Sequence, residues 1–399
     1  MKNIAILLDG GINNDARVQR IIKSFSVSYN VYLYYCEPCR NDRLIFDSKN
    51  VFLNPYRIKS SNWLTINFFF NNKFNDLINS VKNSKIKFSL IYVNDYPLLK
   101  SGVILKEITG SKLIYDSHEI YIETINQFFP TRGLKGKVFG TSMILLNKIY
   151  HSYCEKKYLK KIDLFITVCD SFSKYFQNHY KISQVNVLKN CPQTIEPPTK
   201  SNLIREELGL TNNDKIILYQ GVLNPGRGLK MIIDASRYLE ANINIVIIGD
   251  GPKKKELLQY FSDTFERKNV FFMEKVSFSS LINYTMSADI GILLIESFNL
   301  SKKLTLPNKV FEYMNAGIPF ITNQLPEASK IAKDENCGYV INDSSPEKIG
   351  QQINHIMKNI DFEKGKNGRR AIEEKYYWEL DFRKIEKKLT NLLNKTFLK

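Results

Sequence analysis

At 399 residues the chain is long enough for two domains, and a 43% hydrophobic content supplies cores for both, with Gly and Pro too modest for a disordered chain. No apolar run reaches the ~20 residues that span a bilayer, and six scattered Cys argue against a disulfide framework. The net charge of +17 is uneven: residues 1–190 hold 27 Lys and Arg against 14 Asp and Glu, whereas 191–399 hold 30 against 26, which turns the first half toward an anionic surface.

Lys2-Asn3-Ile4-Ala5-Ile6-Leu7-Leu8 opens directly as a strand without a leader pattern, so a cytoplasmic chain is expected. Asp9-Gly10-Gly11-Ile12-Asn13-Asn14 follows, then a helix with Ile21, Ile22 and Phe25 as its apolar stripe, capped by Asn14 or Asp15. Strand, Gly-rich turn and helix open a doubly wound α/β unit, although the turn is not a GxGxxG. Gly10 and Gly11 either admit a ligand close to the backbone or simply make a tight turn. Strands are predicted at 31–35, 90–93, 112–115 and 164–168; the third ends in Asp116-Ser117-His118-Glu119. Gly10, Gly11 and His118 thus fall at carboxyl ends of strands, where parallel sheets bind ligands. Cys36-Glu37-Pro38-Cys39 is a lone CxxC without a second pair and reads as reduced thiols. The run Trp63-Leu64-Thr65-Ile66-Asn67-Phe68-Phe69-Phe70 is aromatic. Residues 128–161 mix Phe128, Phe129, Met143, Ile144 and Leu145 with Arg132, Lys135, Lys137, Lys148, Lys156, Lys157, Lys160 and Lys161. That stretch, helical over about 140–158, reads either as the basic amphipathic surface of a peripheral membrane protein or as a core helix with a solvated basic face.

The three prolines of 190–198 mark a linker. The α/β pattern restarts at 216–219, which leads into Gln220-Gly221-Val222-Leu223-Asn224-Pro225-Gly226-Arg227-Gly228, a second Gly-rich turn that now carries Arg. A helix at 231–239 and strands at 245–248, 270–272, 290–295 and 320–322 follow. The stretch Leu306-Pro307-Asn308-Lys309-Val310-Phe311-Glu312-Tyr313-Met314-Asn315-Ala316-Gly317-Ile318-Pro319 carries its own start and stop signals for a short helix, with Asn308 as the cap and Gly317 in the left-handed position past the last turn. A helix start with Lys309 suits an anion such as a diphosphate; Glu312, one turn on, suits sugar hydroxyls. A surface helix whose Glu merely favours the helix start is the plainer alternative. After Tyr376-Tyr377-Trp378, a charged terminal helix carries Leu380, Phe382, Ile385, Leu389 and Leu392 as apolar positions.

Arg227, a forked permanent cation, with Lys309 and Glu312 describes a pocket for a sugar nucleotide: cations and N–H groups for the diphosphate, a carboxylate for the ribose, and the backbone of Val276 for a base edge. The chain resembles the retaining glycosyltransferases of the two-Rossmann (GT-B) type, glycosyltransferase family 4, over nearly its whole length. Asp9-Gly10-Gly11 with Asn14-Asp15-Ala16-Arg17-Val18 is similar to the family's N-terminal loop, Asp116-Ser117-His118-Glu119 to its His motif, Gly221 to Gly228 to its donor loop, and Gly249-Asp250-Gly251-Pro252 to a family marker. The most specific match is the stretch from Leu306 to Pro319. The resemblance implies two Rossmann-like parallel-sheet domains facing across a cleft: residues 1–193 for the acceptor, 194–375 for the nucleotide sugar, and 376–399 as a helix returning to the first domain. It also implies roles. Arg227 and Lys309, with Gly221, Pro307 and Asn308, would hold the departing diphosphate; Glu312 would hold the ribose; His118 would contact sugar or acceptor near the reacting carbon, with Gly10 and Gly11 permitting close approach. Retention without a metal or cofactor follows, the sugar nucleotide (most simply a UDP-sugar) being a substrate. Two positions depart from the pattern. The first Glu of the family's Glu-x7-Glu pair is Leu304, and the expected Arg beside Gly221 is Val222.

The expected activity is hexosyl transfer onto a glycan, carried on a polyprenyl diphosphate at the inner membrane face to which the basic first domain would bind, in surface polysaccharide or glycoconjugate biosynthesis, with no nucleic-acid partner. Rival readings are a sugar-nucleotide epimerase of the same layout, a basic module binding lipid or nucleic acid, and a non-catalytic partner of another transferase.

Overall fold

Two parallel sheets carry the chain in the computed structural model, which describes residues 1–12, 15–37, 48–58, 74–125, 134–193, 201–264 and 269–394; strand counts below are of those residues. Asn14, Cys39, Trp63 to Phe70, Phe128, Phe129, Arg132 and the part of the 190–198 linker from 194 onward lie outside them, as do the side chains of Lys135 and Lys137. Unit 1 comprises Met1–Leu188 and Phe382–Lys399; unit 2 comprises Lys189–Asp381. The sequence reading divides the chain at 193 and 375. Here Trp378 N donates to Pro192 O over 3.0 Å, and both segments stay with unit 2.

Unit 1 runs β1 (Lys2–Leu8), α1 (Ala16–Ser26), β2 (Tyr29–Glu37), β3 (Val51–Arg57), β4 (Phe88–Asn94), α2 (Tyr96–Thr109), β5 (Lys112–Ser117), α3 (Leu134–Leu159), β6 (Leu164–Thr167) and β7 (Asn186–Val187). Its sheet has the order β3-β2-β1-β4-β5-β6-β7, all parallel, so the winding reverses between β1 and β4. Ile4, Ala5, Ile6 and Leu7 are fully buried, as a strand covered on both faces requires. Asp15 caps α1 by accepting from Val18 N. The sequence does not announce β3: it is an edge strand whose short apolar run, Val51 to Leu53, is cut off by Asn54-Pro55, with Phe52 and Leu53 exposed. Two-residue β7 is too short to leave a pattern.

Unit 2 runs β8 (Lys215–Gln220), α4 (Leu229–Ala235), β9 (Ile243–Ile248), β10 (Val270–Met273), β11 (Ile290–Leu293), α5 (Asn308–Asn315), β12 (Phe320–Thr322), β13 (Gly338–Val340) and α6 (Trp378–Asn394). The sheet order is β10-β9-β8-β11-β12-β13, reversing between β8 and β11. Ile217, Tyr219, Ile232, Ile245, Ile292 and Ile353 share its core. Both domains are the Rossmann-like parallel layers that the sequence predicts. Helix α6 begins in unit 2 with Trp378 buried and ends in unit 1, where Phe382 meets Phe25 edge-on at 5.2 Å. Leu393, not the expected Leu392, completes its buried stripe with Ile385 and Leu389, because each is four residues from the next.

Candidate functional site

In unit 2 the site grows from the way α5 is pinned. Pro307, not Asn308, is the N-cap; Asn308 is the first helical residue and exposed, and no side chain caps the end. The far end stops as expected: Gly317 has φ +70°, its N–H reaches Met314 O, and Ile318 N reaches Tyr313 O. Buried Tyr313 donates to Leu218 O at 3.0 Å and lies 3.2 Å from Ile292 O, one carbonyl on β8 and one on β11. The helix is thereby bolted to the reversal point of the sheet, and its polar residues stand at the carboxyl end of β8.

Three of the residues singled out from the sequence meet there. The Lys309 ammonium lies 4.9 Å from the centre of the Tyr219 ring. Burial and the Arg227 charge push its pKa down to about 8, with Glu312 pulling the other way. Tyr219 senses the same pair: burial raises its phenol to about 12, with Arg227 lowering it and Glu312 raising it. Gly221 has φ +119°, and a Cβ there would lie 2.9 Å from Lys309 Nζ. Val222 points outward, 53% exposed. The second cation beside the loop is therefore Lys309, delivered by α5 rather than by the loop. Glu312 Oε2 accepts from Gln220 Nε2 at 2.7 Å, and Thr285 Oγ1 donates to Gln220 Oε1 at 2.7 Å. This relay fixes the carboxylate while Oε1 has no donor among the described residues. Beside the loop, a pocket of about 250 Å³ is lined by Asn224, Arg227, Lys230, Lys253, Glu256 and Glu296. Val276 lies half-buried past the end of β10, just before Ser277 caps the next helix.

In unit 1 the carboxyl ends of β1, β4 and β5 carry a second cluster. Gly10 has φ +150° with open space where a side chain would be; Gly11 needs no such freedom. The buried Arg17 guanidinium grips Asp116 with two hydrogen bonds, Nε to Oδ2 at 2.9 Å and Nη2 to Oδ1 at 2.8 Å, and donates through Nη1 to Leu188 O. Tyr92 also donates to Asp116 Oδ2. Burial opposes the Asp116 charge, but Arg17 and His118 hold the carboxyl well below the usual range. His118 lies between two carboxylates: Nδ1 is 3.3 Å from Asp95 Oδ2, and Nε2 is 3.2 Å from Asp116 Oδ2 but out of hydrogen-bonding line. Burial disfavours the imidazolium, yet Asp95 and then Asp116 more than offset it and push the pKa up to about 10. His118 is thus a cation at neutral pH, with both ring nitrogens turned to carboxylates. The side chain offered to solvent is Asp95, 38% exposed against 16% for His118. Asp95 has φ 63° and ψ 161°, a conformation otherwise kept for glycine, and is held in it by accepting from His118 N at 2.8 Å and donating its own N–H to Asp116 O.

Asp95, Gln220 and Thr285 were not singled out from the sequence. Asp95 ends a strand as His118 does, which is a signal; Gln220 and Thr285 read as ordinary strand-end and helix residues. Among the described residues no group of three His, Cys, Asp or Glu side chains has the spacing of a metal site.

Residues 200–375 match the model of the family described as Glycosyl transferases group 1. The matched residues lie wholly within the second unit, Lys189–Asp381. The site just built on β8, β11 and α5 lies within it. The whole chain has the GT-B fold. It superposes on sucrose-phosphate synthase from Thermosynechococcus elongatus with a TM-score of 0.77 at 15% identity, over 99% of this chain and 100% of the other. HepE from Anabaena, solved in complex with UDP, gives 0.72 at 15% identity over 98% and 100%. In sequence, the chain is 21% identical over 251 residues to the lipopolysaccharide 1,2-N-acetylglucosaminetransferase of Salmonella typhimurium, 58% of this chain and 64% of that one. The alignments to curated relatives span from 44% to 64% of those proteins.

Proposed function

We propose that the protein is a retaining, metal-independent glycosyltransferase that moves a hexosyl group from a nucleoside-diphosphate sugar, a UDP-sugar, to a glycan acceptor. The observation that carries the reading is Lys309 beside Gly221 and Glu312 bonded to Gln220 at the reversal of one parallel sheet, with Arg227 near enough for its charge to act on Lys309. Two cations placed before the reaction begins would stabilise the charge that develops on the leaving diphosphate, often the largest catalytic contribution. The free Oε1 of Glu312 would accept from the ribose, and Val276 would meet the base. A fold neighbour solved with UDP supports the choice of base.

In unit 1, the charged His118 and the strained Asp95 would receive the acceptor. As an imidazolium His118 serves as a fixed charge and donor, not a base. The acceptor glycan is carried on a polyprenyl diphosphate, a reading supported by the basic composition of the first half.

A panel of sugar nucleotides tests this by melting temperature. UDP-sugars should raise it, and Arg227→Ala and Glu312→Ala should each abolish the shift and lower transfer at least a hundredfold. No shift with any nucleotide sinks the reading; conversion of the donor alone to another sugar would replace it with an epimerase.

A further inference from the structure

Helix α3 is laid against its domain with the polar side inward. Asn147, His151 and Glu155 face the interior, each about 2% exposed or less. They are held by polar contacts: Tyr96 Oη lies 2.9 Å from His151 Nδ1, while Tyr115 and Tyr180 donate to the Glu155 carboxylate at 2.8 and 2.5 Å. The outward side carries Leu145, Leu146, Ile149, Tyr150 and Tyr153, between 48% and 67% exposed. These positions recur at helical spacing and form one stripe. The sequence reading left a basic membrane surface and an ordinary core helix open, and a core helix would have had its apolar side inward.

The stripe ends in a cationic cluster. Lys156, Lys157, Lys160 and Lys161 are exposed just beyond Tyr153. Glu155 is the sole acidic residue from 140 to 161, and it is buried. A second copy laid parallel on the same stripe would bring Lys156, Lys157 and Lys160 toward their own counterparts. A line of single side chains along one helix, with tyrosines beside the lysines, fits a layered medium: hydrocarbon for Leu and Ile, the interface for Tyr, anionic headgroups for Lys. No helix among the described residues is long and apolar enough to cross a membrane.

We propose that the outward face of α3 seats on an anionic lipid bilayer, with Leu146, Ile149 and Tyr153 in the acyl boundary and Lys156, Lys157 and Lys160 on the headgroups. The surface deepens the lipid-linked acceptor reading and rests on it for its purpose, but its test needs neither donor nor acceptor. Full-length protein is sedimented with phosphatidylcholine vesicles, alone or with about one third phosphatidylglycerol. Binding is expected to the anionic vesicles alone and to weaken with added salt. Leu146→Ser/Ile149→Ser and Lys156→Ser/Lys157→Ser should each weaken it roughly tenfold while leaving the melting temperature and its nucleotide shift unchanged. Tyr153→Trp should show emission that shifts to the blue on the same vesicles. Failure of the wild type to bind anionic vesicles, or equal binding by both double variants, overturns the proposal. So does a lipid-free dimer that Leu146→Ser/Ile149→Ser dissociates, which would assign the stripe to a second copy. A lost nucleotide shift with vesicle binding intact would instead strike the transferase reading and leave this one standing.

Discussion

Lys309 is the residue on which pH should act. Its ammonium is disfavoured by burial and by Arg227, so its pKa stands at about 8 without ligand. A diphosphate would favour the charged form and raise that value. Between the two pKa values binding takes up a proton, so UDP affinity should fall as pH rises above 8, by up to about tenfold per pH unit. Calorimetry in buffers of different ionisation heat should register the uptake, and Lys309→Arg should flatten the profile. Asp95 offers a separate check. Its backbone conformation costs on the order of 1–3 kcal/mol, which glycine avoids. Glycine also removes the carboxylate that pairs with His118, so Asp95→Gly should melt higher than Asp95→Ala, which loses the same carboxylate and keeps the strain, while transfer falls at least tenfold in both; equal melting of the two variants would mean that the backbone there is not strained. His118 has a folded pKa of about 10 against an ordinary 6.5. The stability it contributes is complete below pH 6.5 and is lost as pH climbs toward 10, and Asp95→Asn should shrink that decline. The sequence named Lys309 and His118 by their places in motifs. It did not disclose that Lys309 lies beside Gly221, next to the position where Val222 replaces the expected cation, since that depends on α5 lying over the end of β8.

At the scale of elements, the candidate donor site depends on one short helix held by one phenol. Tyr313 ties α5 to β8 and β11, and the relay from Thr285 through Gln220 orients Glu312. Gln220→Leu keeps the volume but leaves Glu312 without its donor. UDP binding should weaken by about 1–2 kcal/mol, roughly tenfold, measured by titration calorimetry, and Thr285→Val by less. Apolar runs bounded by turns made the buried strands legible. Strands β3 and β13 left no such signal, because Asn54-Pro55 interrupts the one and the other is three residues long and opens on Gly338. Helix α3 was legible over about 140–158, but which of its sides faces the sheet stayed open, because periodicity does not decide that.

For the whole molecule, α6 is the element that both units claim. Leu389 is fully buried in unit 1 among its α6 neighbours Ile385 and Leu393. Leu389→Asp would place a charge there, at a cost of several kcal/mol. It should lower the melting of unit 1 while the nucleotide-dependent shift of unit 2 persists, as two transitions in calorimetry. The sequence by itself determined two parallel α/β domains and the residue types suited to a diphosphate and a ribose. These are local properties of pattern and turn chemistry. Tertiary structure alone decided which cation stands beside which carboxylate, that Asp95 is strained and His118 charged, and that α3 turns its apolar side to solvent. Each depends on groups far apart in the chain coming within a few ångströms, where burial and charge act together and where no run of consecutive residues records the result.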